Sequence, residues 1–232
     1  MHTAENFTSG QVLLIDKPLH WTSFQAVNKV RWAIRKSFNI KKIKVGHAGT
    51  LDPLATGLLV ICTGKMTKQI NTFQGQEKEY TGTIVLGSTT PSYDLETEID
   101  ATFPTDHITE TLIHDTTKQF TGTIAQYPPV FSAIKKEGKR LYEFARSGES
   151  VEVQPRQVKI SIFEITAING LNIDFRVVCS KGTYIRSLAH DFGKALNSGA
   201  HLSALRRTRI GEFDVTNAIS PEAFLAQLPQ NN

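Results

Sequence analysis

An aspartate, Asp52, stands near the end of the segment HAGTLDP (residues 47–53), downstream of a glycine and directly before a proline. Proline disfavours the helical conformation for the residue before it, and glycine permits a tight turn, so the sequence predicts a defined turn around the carboxylate. An ionised carboxylate in such a turn can attack an electrophilic carbon. The same pattern is typical of an Asx turn or a helix N-cap, where Asp52 would serve only the backbone. His47, in the same polar loop, favours a functional site.

A second candidate segment, CSKGTYIRSL (residues 179–188), predicts the end of a strand, a turn and the start of a helix that carries Arg186. An arginine usually lies on the surface. If Arg186 is buried it needs a carboxylate, and Asp52 would suit. An adjacent guanidinium lowers the pKa of a carboxyl group by about 1–3 units, so such a pair would keep Asp52 ionised.

Two further side chains are ambiguous from their spacing alone. Tyr80 stands on the predicted strand KEYTGTIVL (residues 78–86), where a tyrosine either packs against its neighbours or offers a stacking platform for a base. Lys17 follows an apolar run and precedes a proline. A lysine at a strand end often binds an anion. The alternative is that Lys17 has only a structural role.

The bulk composition describes an ordinary globular protein. The chain has 232 residues, of which 40% are hydrophobic and 21% charged, and its net charge of +4 permits a polyanionic partner without demanding one. Basic residues cluster at 35–44, 135–146 and 206–209. Each cluster alone is typical of a solvated face, whereas three together favour a track for phosphates.

The cysteines, the N-terminal segment and the length of the apolar runs argue against several classes of protein. Cys62 and Cys179 each lie in a strand-like apolar run, which predicts buried reduced thiols, and no metal-ligand spacing is present. The N-terminal segment lacks the pattern of a signal peptide, and no apolar run approaches membrane-spanning length. We therefore expect a cytoplasmic protein without a metal.

Hydrophobic periodicity predicts more strands than helices, and this favours an α/β (α+β type) fold with a mixed or mostly antiparallel sheet flanked by helices. We expect a single domain over residues 1–232. The basic segment at about 126–150 is either a mobile insertion over a site or a helical hairpin on the surface. The predicted strands lie at 11–15, 58–62, 78–86, 151–167, 171–179 and 202–213, and the predicted helices at 65–73, 108–120, 183–196 and 221–228, with one more starting after Thr22.

Six segments, in order, closely resemble the motifs of the TruB-type tRNA pseudouridine synthases. They are VLLIDKPLHWTS, GHAGTLDPLATGLL, KEYTGTIVLG, QYPPVFSAIKKEGKRLYEFAR, CSKGTYIRSLAHDFG and AHLSALRRTRIG. The resemblance implies the pseudouridine-synthase fold with an RNA-gripping insertion. His20 departs from it, standing where the family usually has glycine. The chain also ends soon after its last motif, so we expect a form without the C-terminal PUA domain of many bacterial members.

The resemblance also assigns roles to individual residues. Asp52 matches the catalytic aspartate, Arg186 its partner, and Tyr80 the tyrosine that stacks on the target base. The residues expected to bind the substrate are His47, which fills the gap left by the extruded base, Tyr184 and Leu205 in the uridine pocket, Asp94 in a polar loop, Lys17, and Tyr80 itself.

The implied reaction converts the T-loop uridine, position 55 of tRNA, to pseudouridine by base flipping and aspartate-dependent re-formation of the glycosidic bond through C5. As an isomerisation it needs no cofactor, and we expect a monomer that recognises the T-arm. Two rivals stay open: an RNA-folding protein without catalysis, and a nucleosidase in which Asp16 would supply a second carboxylic acid near Asp52.

Overall fold

The computed structural model describes residues 2–132, 134–136, 138–147, 149 and 151–229. The α-helices in this part of the chain are α1 (Ala4–Ser9), α2 (Ser23–Ser37), α3 (Ile70–Gly75), α4 (Glu110–Thr117), α5 (Leu141–Ser147), α6 (Ile185–Ala195) and α7 (Pro221–Ala226). The strands are β1 (Val12–Lys17), β2 (Val45–His47), β3 (Ala55–Thr63), β4 (Lys78–Leu86), β5 (Ser88–Thr89), β6 (Ala101–Thr102), β7 (Gly122–Gln126), β8 (Lys135–Lys136), β9 (Lys139–Arg140), β10 (Arg156–Asn169), β11 (Asn172–Cys179), β12 (Ala200–Ile210) and β13 (Phe213–Asp214). Short 3₁₀ helices occupy Gly64–Gln69, Lys118–Phe120 and Val215–Asn217.

The chain forms two compact units. The first comprises residues 1–80 and 205–232, and the second comprises residues 81–204. Strands β4 and β12 each contribute residues to both units.

The sheet of the first unit is built around β3. Its residues are buried almost throughout, as expected of a strand covered on both faces. β3 pairs antiparallel with β1 and β2, and parallel with β12, where Leu205 lies opposite Ala55. Apolar side chains of α2, including Val30 and Ile34, pack with the sheet and α7 into one core.

Helix α2 begins where the sequence predicts it. Thr22 is the N-cap, its side chain accepts a hydrogen bond from the backbone N–H of Gln25, and the Gln25 side chain accepts one from the backbone N–H of Thr22. This reciprocal capping box satisfies two N–H groups that the helix would otherwise leave unpaired. Ser23 is thereby fixed as the first helical residue, a position that matters for the candidate site.

The sheet of the second unit is antiparallel. β10 pairs with β11 through a turn at residues 170–171, slightly later than the turn that the sequence predicts at 168–170, and with β7 on its other side. Phe163 and Phe192 meet edge to face, with ring centroids 5.3 Å apart, and this contact joins β10 to α6.

The predicted α/β class with a mixed, mostly antiparallel sheet flanked by helices is confirmed. Both cysteines are buried free thiols, as predicted. The sequence reasoning missed α1 and β7, and the predicted polar helix at 65–73 is a 3₁₀ helix that continues as α3. In the segment 126–150 the structure has the hairpin β8–β9 followed by α5, while residues 133, 137, 148 and 150 lie outside the described residues. No helix among the described residues is long and apolar enough to span a membrane.

Candidate functional site

Asp52 lies in the loop that joins β2 to β3. β2 ends at His47, which pairs with Ile61 of β3, and the Ala48 N–H continues the pairing by donating to Val60 O at 2.9 Å. The chain turns after Asp52, whose carbonyl oxygen accepts a hydrogen bond from the N–H of Ala55 at 3.1 Å. Asp52 is half-buried. The carboxylate therefore sits on a short connection between two paired strands, where its position is restricted.

The residue before Asp52 is clamped to the start of α2. The hydroxyl of Ser23 donates to Leu51 O at 3.1 Å, and the N–H of Leu51 donates to the same hydroxyl oxygen at 2.8 Å. Both residues are buried. A single side chain thus satisfies both backbone groups of the residue that precedes the carboxylate.

A buried arginine, Arg207, holds the other side of the loop. It is 1% exposed, and its guanidinium donates to the carbonyl oxygens of Leu58 at 2.8 Å, Gly49 at 3.1 Å and Thr50 at 3.4 Å. The prediction that the cluster at 206–209 contributes to a phosphate track is therefore wrong for Arg207, because its donors are turned inward to the backbone. Its burial could not be inferred from its place in a basic run.

The turn after β1 packs against the same loop. The N–H of His20 donates to Pro53 O at 2.8 Å, and His20 has φ of 64°, the left-handed conformation that glycine adopts most readily. His20 therefore adopts a left-handed backbone conformation while carrying a side chain.

Lys17 is fully buried. Its ammonium group donates to the carbonyl oxygens of Pro18 at 2.9 Å and Trp21 at 2.6 Å. Burial lowers the pKa of Lys17 to about 8; the negative charge of Asp52 opposes this shift and that of Arg207 adds to it. The geometry favours a role in holding the turn, and a direct contact with substrate stays a prediction.

His47 is held as a neutral imidazole near neutral pH. Burial lowers the pKa of His47, the hydrogen bond with the backbone of Gly49 opposes this, and the charge of Arg207 lowers it further. A neutral ring carries a smaller desolvation cost than a cation in this buried position.

Arg186, in the first turn of α6, is buried as the sequence reasoning required for an ion pair. It is 4% exposed, and its Nε lies 3.5 Å from a carboxylate oxygen of Asp94. It also donates to the carbonyl oxygens of Ser92 at 3.1 Å and Phe131 at 2.9 Å. Two predicted site residues, Asp94 and Arg186, are thus brought together within the second unit.

Tyr184 is the N-cap of α6, and its backbone is held by the side chain of Gln126. The N–H of Tyr184 donates to Gln126 Oε1 at 2.8 Å, and Gln126 Nε2 donates to Tyr184 O at 3.1 Å. Gln126 is 1% exposed. The guanidinium carbon of Arg156 lies 5.6 Å from the centre of the tyrosine ring. The helix start that carries Tyr184 and Arg186 is therefore fixed to the end of β7.

The other two predicted residues lie on strands. Tyr80 is buried on β4, and Leu205 is half-buried on β12 beside Ala55. The predicted pairing of Asp52 with Arg186 stays a prediction. Sequence reasoning missed Ser23 and Arg207 as supports of the Asp52 loop, and Gln126 as the support of Tyr184. Within the described residues, no group of three or more His, Cys, Asp or Glu side chains is arranged to hold a metal ion.

Comparisons with known proteins agree with this fold. Residues 35–185 match the model of the TruB family pseudouridylate synthase N-terminal domain, and residues 186–231 match that of the tRNA pseudouridylate synthase B C-terminal domain. The fold and these matches define an isomerase of the pseudouridine synthase class. The chain belongs, more narrowly, to the TruB family of pseudouridylate synthases.

Relatives and solved structures support the assignment over nearly the whole chain. The chain is 67% identical to tRNA pseudouridine synthase B of Flavobacterium johnsoniae, over 96% of this chain and 97% of the relative. It is 56% identical to the protein of the same name from Phocaeicola vulgatus, over 97% and 96% of the two chains. A solved Cbf5–Nop10–Gar1 complex contains a chain with 33% identity and a TM-score of 0.67, matched over 92% of this chain and 52% of that one. This chain therefore spans about half of that solved chain.

Proposed function

We propose that this protein converts the T-loop uridine at position 55 of tRNA to pseudouridine, with Asp52 as the catalytic carboxylate. The relatives named tRNA pseudouridine synthase B supply the substrate class. The observation that carries the proposal is the placement of Asp52 on a loop whose backbone is held on one side by Ser23 and on the other by Arg207. A catalytic group must be held in a fixed position to act, and this loop meets that requirement.

The reaction breaks the bond between uracil N1 and C1′ of the ribose, rotates the base, and forms a bond between C5 and C1′. The hydrogen at C5 leaves and N1 gains a proton, so atoms and charge balance without a co-reactant. The ionised Asp52 can serve by attack at C1′, by attack at C6 of the base, or by promoting elimination to a glycal. Attack at an anomeric carbon by a carboxylate has the precedent of the retaining glycosidases.

The uridine reaches Asp52 only after it leaves its stack, at a cost of a few kcal/mol. Stacking on Tyr80, which contributes about 1–3 kcal/mol per base, offsets much of that cost. His47 fills the vacated position, and Tyr184 and Leu205 line the pocket for the extruded base. The lowered pKa of His47 favours an uncharged ring, which supports its assignment.

In this proposal Arg186 orients the carboxylate of Asp52. Its support is the burial of the guanidinium beside Asp94, which shows that this arginine is not a surface residue. A buried guanidinium is stabilised by nearby carboxylates, and Asp94 at 3.5 Å is one of them. Asp94 then serves to hold Arg186 in position.

The test is Asp52→Asn, assayed by release of tritium from C5-labelled uridine in tRNA. The amide keeps the shape of the side chain and removes its charge, so we expect no detectable release while tRNA binding changes less than about threefold. Substantial residual turnover would remove Asp52 from the chemistry.

The products and the smallest substrate separate this reaction from its rivals. We expect a cytoplasmic monomer that recognises the T-arm. An isolated T-arm stem-loop should therefore be converted in a single turnover. Binding without conversion would indicate an RNA-folding protein, and free uracil would indicate a nucleosidase. The second rival is disfavoured because Asp16 is engaged in a two-point ion pair with Arg206, at 3.0 and 2.7 Å.

A further inference from the structure

A basic groove lies in the first unit, between α2 and the segment that leads into β2. Its volume is about 510 Å³, and none of the residues that line it is acidic. The lining residues are Arg31, Arg35, Lys41, Lys42, Ile43, Lys44, Val45, Gly46, Thr67 and Ile70. Five of these ten side chains are cationic, so a polyanion is the ligand class that the charge favours.

The cations are held in place by their apolar neighbours. Ile43 and Val45 are buried in the core of the first unit, while Lys42 and Lys44, which alternate with them, are exposed. In an extended segment successive side chains point to opposite sides, so burial of the two apolar residues directs both lysines outward. The packing of the core therefore fixes the outward direction of the two lysine side chains.

Arg31 forms part of the groove wall in a fixed orientation. It donates to Asn28 Oδ1 at 2.8 Å and to the carbonyl oxygen of Val45 at 3.0 Å. The second bond connects α2 to β2, the strand that forms one rim of the groove. These contacts hold the guanidinium beside the lysines without neutralising its charge.

The groove leads to a residue of the candidate site. Val45 and Gly46 line it, and His47 is the next residue of the same strand. A ligand in the groove would therefore lie one residue away from the imidazole assigned to replace the flipped base. This continuity favours RNA over an acidic protein, because only RNA would occupy the groove and present a base beside His47.

We infer that this groove binds the phosphate backbone of the RNA strand next to the flipped nucleotide. The inference rests on the proposed function, since His47 marks where that nucleotide is. Each phosphate that a lysine neutralises releases counterions, so such contacts appear in the salt dependence of binding. The groove contributes to binding affinity and leaves the bond-making step to the loop of Asp52.

The experiment compares two double variants of equal charge. Lys42→Ala/Lys44→Ala removes two groove cations, and Lys118→Ala/Lys159→Ala removes two exposed lysines of the second unit. Dissociation constants for a T-arm stem-loop are measured across a salt series, together with kcat at saturating RNA. For the groove variant we expect a Kd at least about tenfold higher and a slope of log K against log salt shallower by roughly 1.4–1.8. Its kcat should be unchanged.

Charge-preserving substitution and the wild-type reaction complete the test. Lys42→Arg/Lys44→Arg should retain the wild-type slope. An identical slope and Kd in the groove variant and the control variant would overturn the inference, and so would a loss of kcat without a loss of binding. If the wild-type protein binds the stem-loop but forms no pseudouridine, the proposed function fails, and the salt slopes still report on the groove.

Discussion

Arg207 donates a hydrogen bond to the backbone oxygen of Gly49 at 3.1 Å, from a strand that is more than 150 residues away in the sequence. The same guanidinium binds Leu58 O at 2.8 Å, so it joins the start of the Asp52 loop to the strand that follows it. Gly49 has φ of 109°, a conformation that places its carbonyl oxygen within reach and that other residues rarely adopt. The position of Asp52 thus depends on a contact between two segments that are far apart in the sequence.

The first prediction concerns Arg207→Lys. Lysine keeps the charge but cannot reproduce the planar fork that bonds Gly49, Thr50 and Leu58 together. Each lost charge-assisted hydrogen bond contributes about 1.5–3 kcal/mol, so we expect unfolding to be easier by about 2–4 kcal/mol and kcat to fall at least about tenfold. Chemical denaturation and tritium release measure the two effects.

Arg206→Lys, which alters a partly exposed ion pair, should change the free energy of unfolding by less than about 1 kcal/mol. Equal effects of the two variants would refute the role of Arg207.

The second prediction concerns Ser23→Ala. This change removes the hydroxyl that satisfies both the N–H and the carbonyl oxygen of Leu51, the residue before Asp52. Leaving buried backbone groups unsatisfied costs about 1–3 kcal/mol. We expect kcat to fall about tenfold with little change in the Kd for tRNA. The loop would hold Asp52 less precisely, while the area in contact with tRNA would stay the same. Ser9→Ala, on the exposed end of α1, is the control and should leave kcat unchanged. A rise in Kd with unchanged kcat would instead assign the clamp to binding.

The strands and helices were largely predictable because their signals are local. The capping residue Thr22 and the apolar spacing after it locate α2, and the alternation in residues 78–86 locates β4. The two-residue strands β5 and β6 lie in a polar segment and were missed, since so short a pairing has no periodicity to detect.

The supports of the site were not predictable, because they depend on contacts between residues far apart in the sequence. Arg207 and its neighbour Arg206 look alike in the sequence, yet one is buried against carbonyl oxygens and the other pairs with Asp16. Only the parallel pairing of β12 with β3 decides which arginine faces inward. The catalytic assignments themselves came from the resemblance to a family, since spacing alone left Asp52 and Tyr80 undecided.

The third prediction concerns Gln126→Ala. The amide of Gln126 exchanges two hydrogen bonds with the backbone of Tyr184, and no water can replace them easily because Gln126 is buried. We expect kcat/KM to fall about tenfold, since the start of α6 would no longer hold Tyr184 in one position. Gln154→Ala, an exposed glutamine bonded to Glu152, is the matched control. If both variants retain full kcat/KM, the position of Tyr184 does not depend on Gln126.

The fourth prediction follows from the buried ammonium of Lys17. Burial lowers the pKa of Lys17 from 10.5 to about 8, so between these values the unfolded chain binds more protons than the folded one. The free energy of unfolding must then rise with pH in this window, by about 2 kcal/mol between pH 8 and pH 10 from this group. Denaturation of the wild type and of Lys17→Met at pH 8, 9 and 10 measures it. The stability of the wild type relative to Lys17→Met should increase over that range, because methionine has no proton to lose. A difference that stays constant with pH would mean that Lys17 titrates with the same pKa in the folded and unfolded chains.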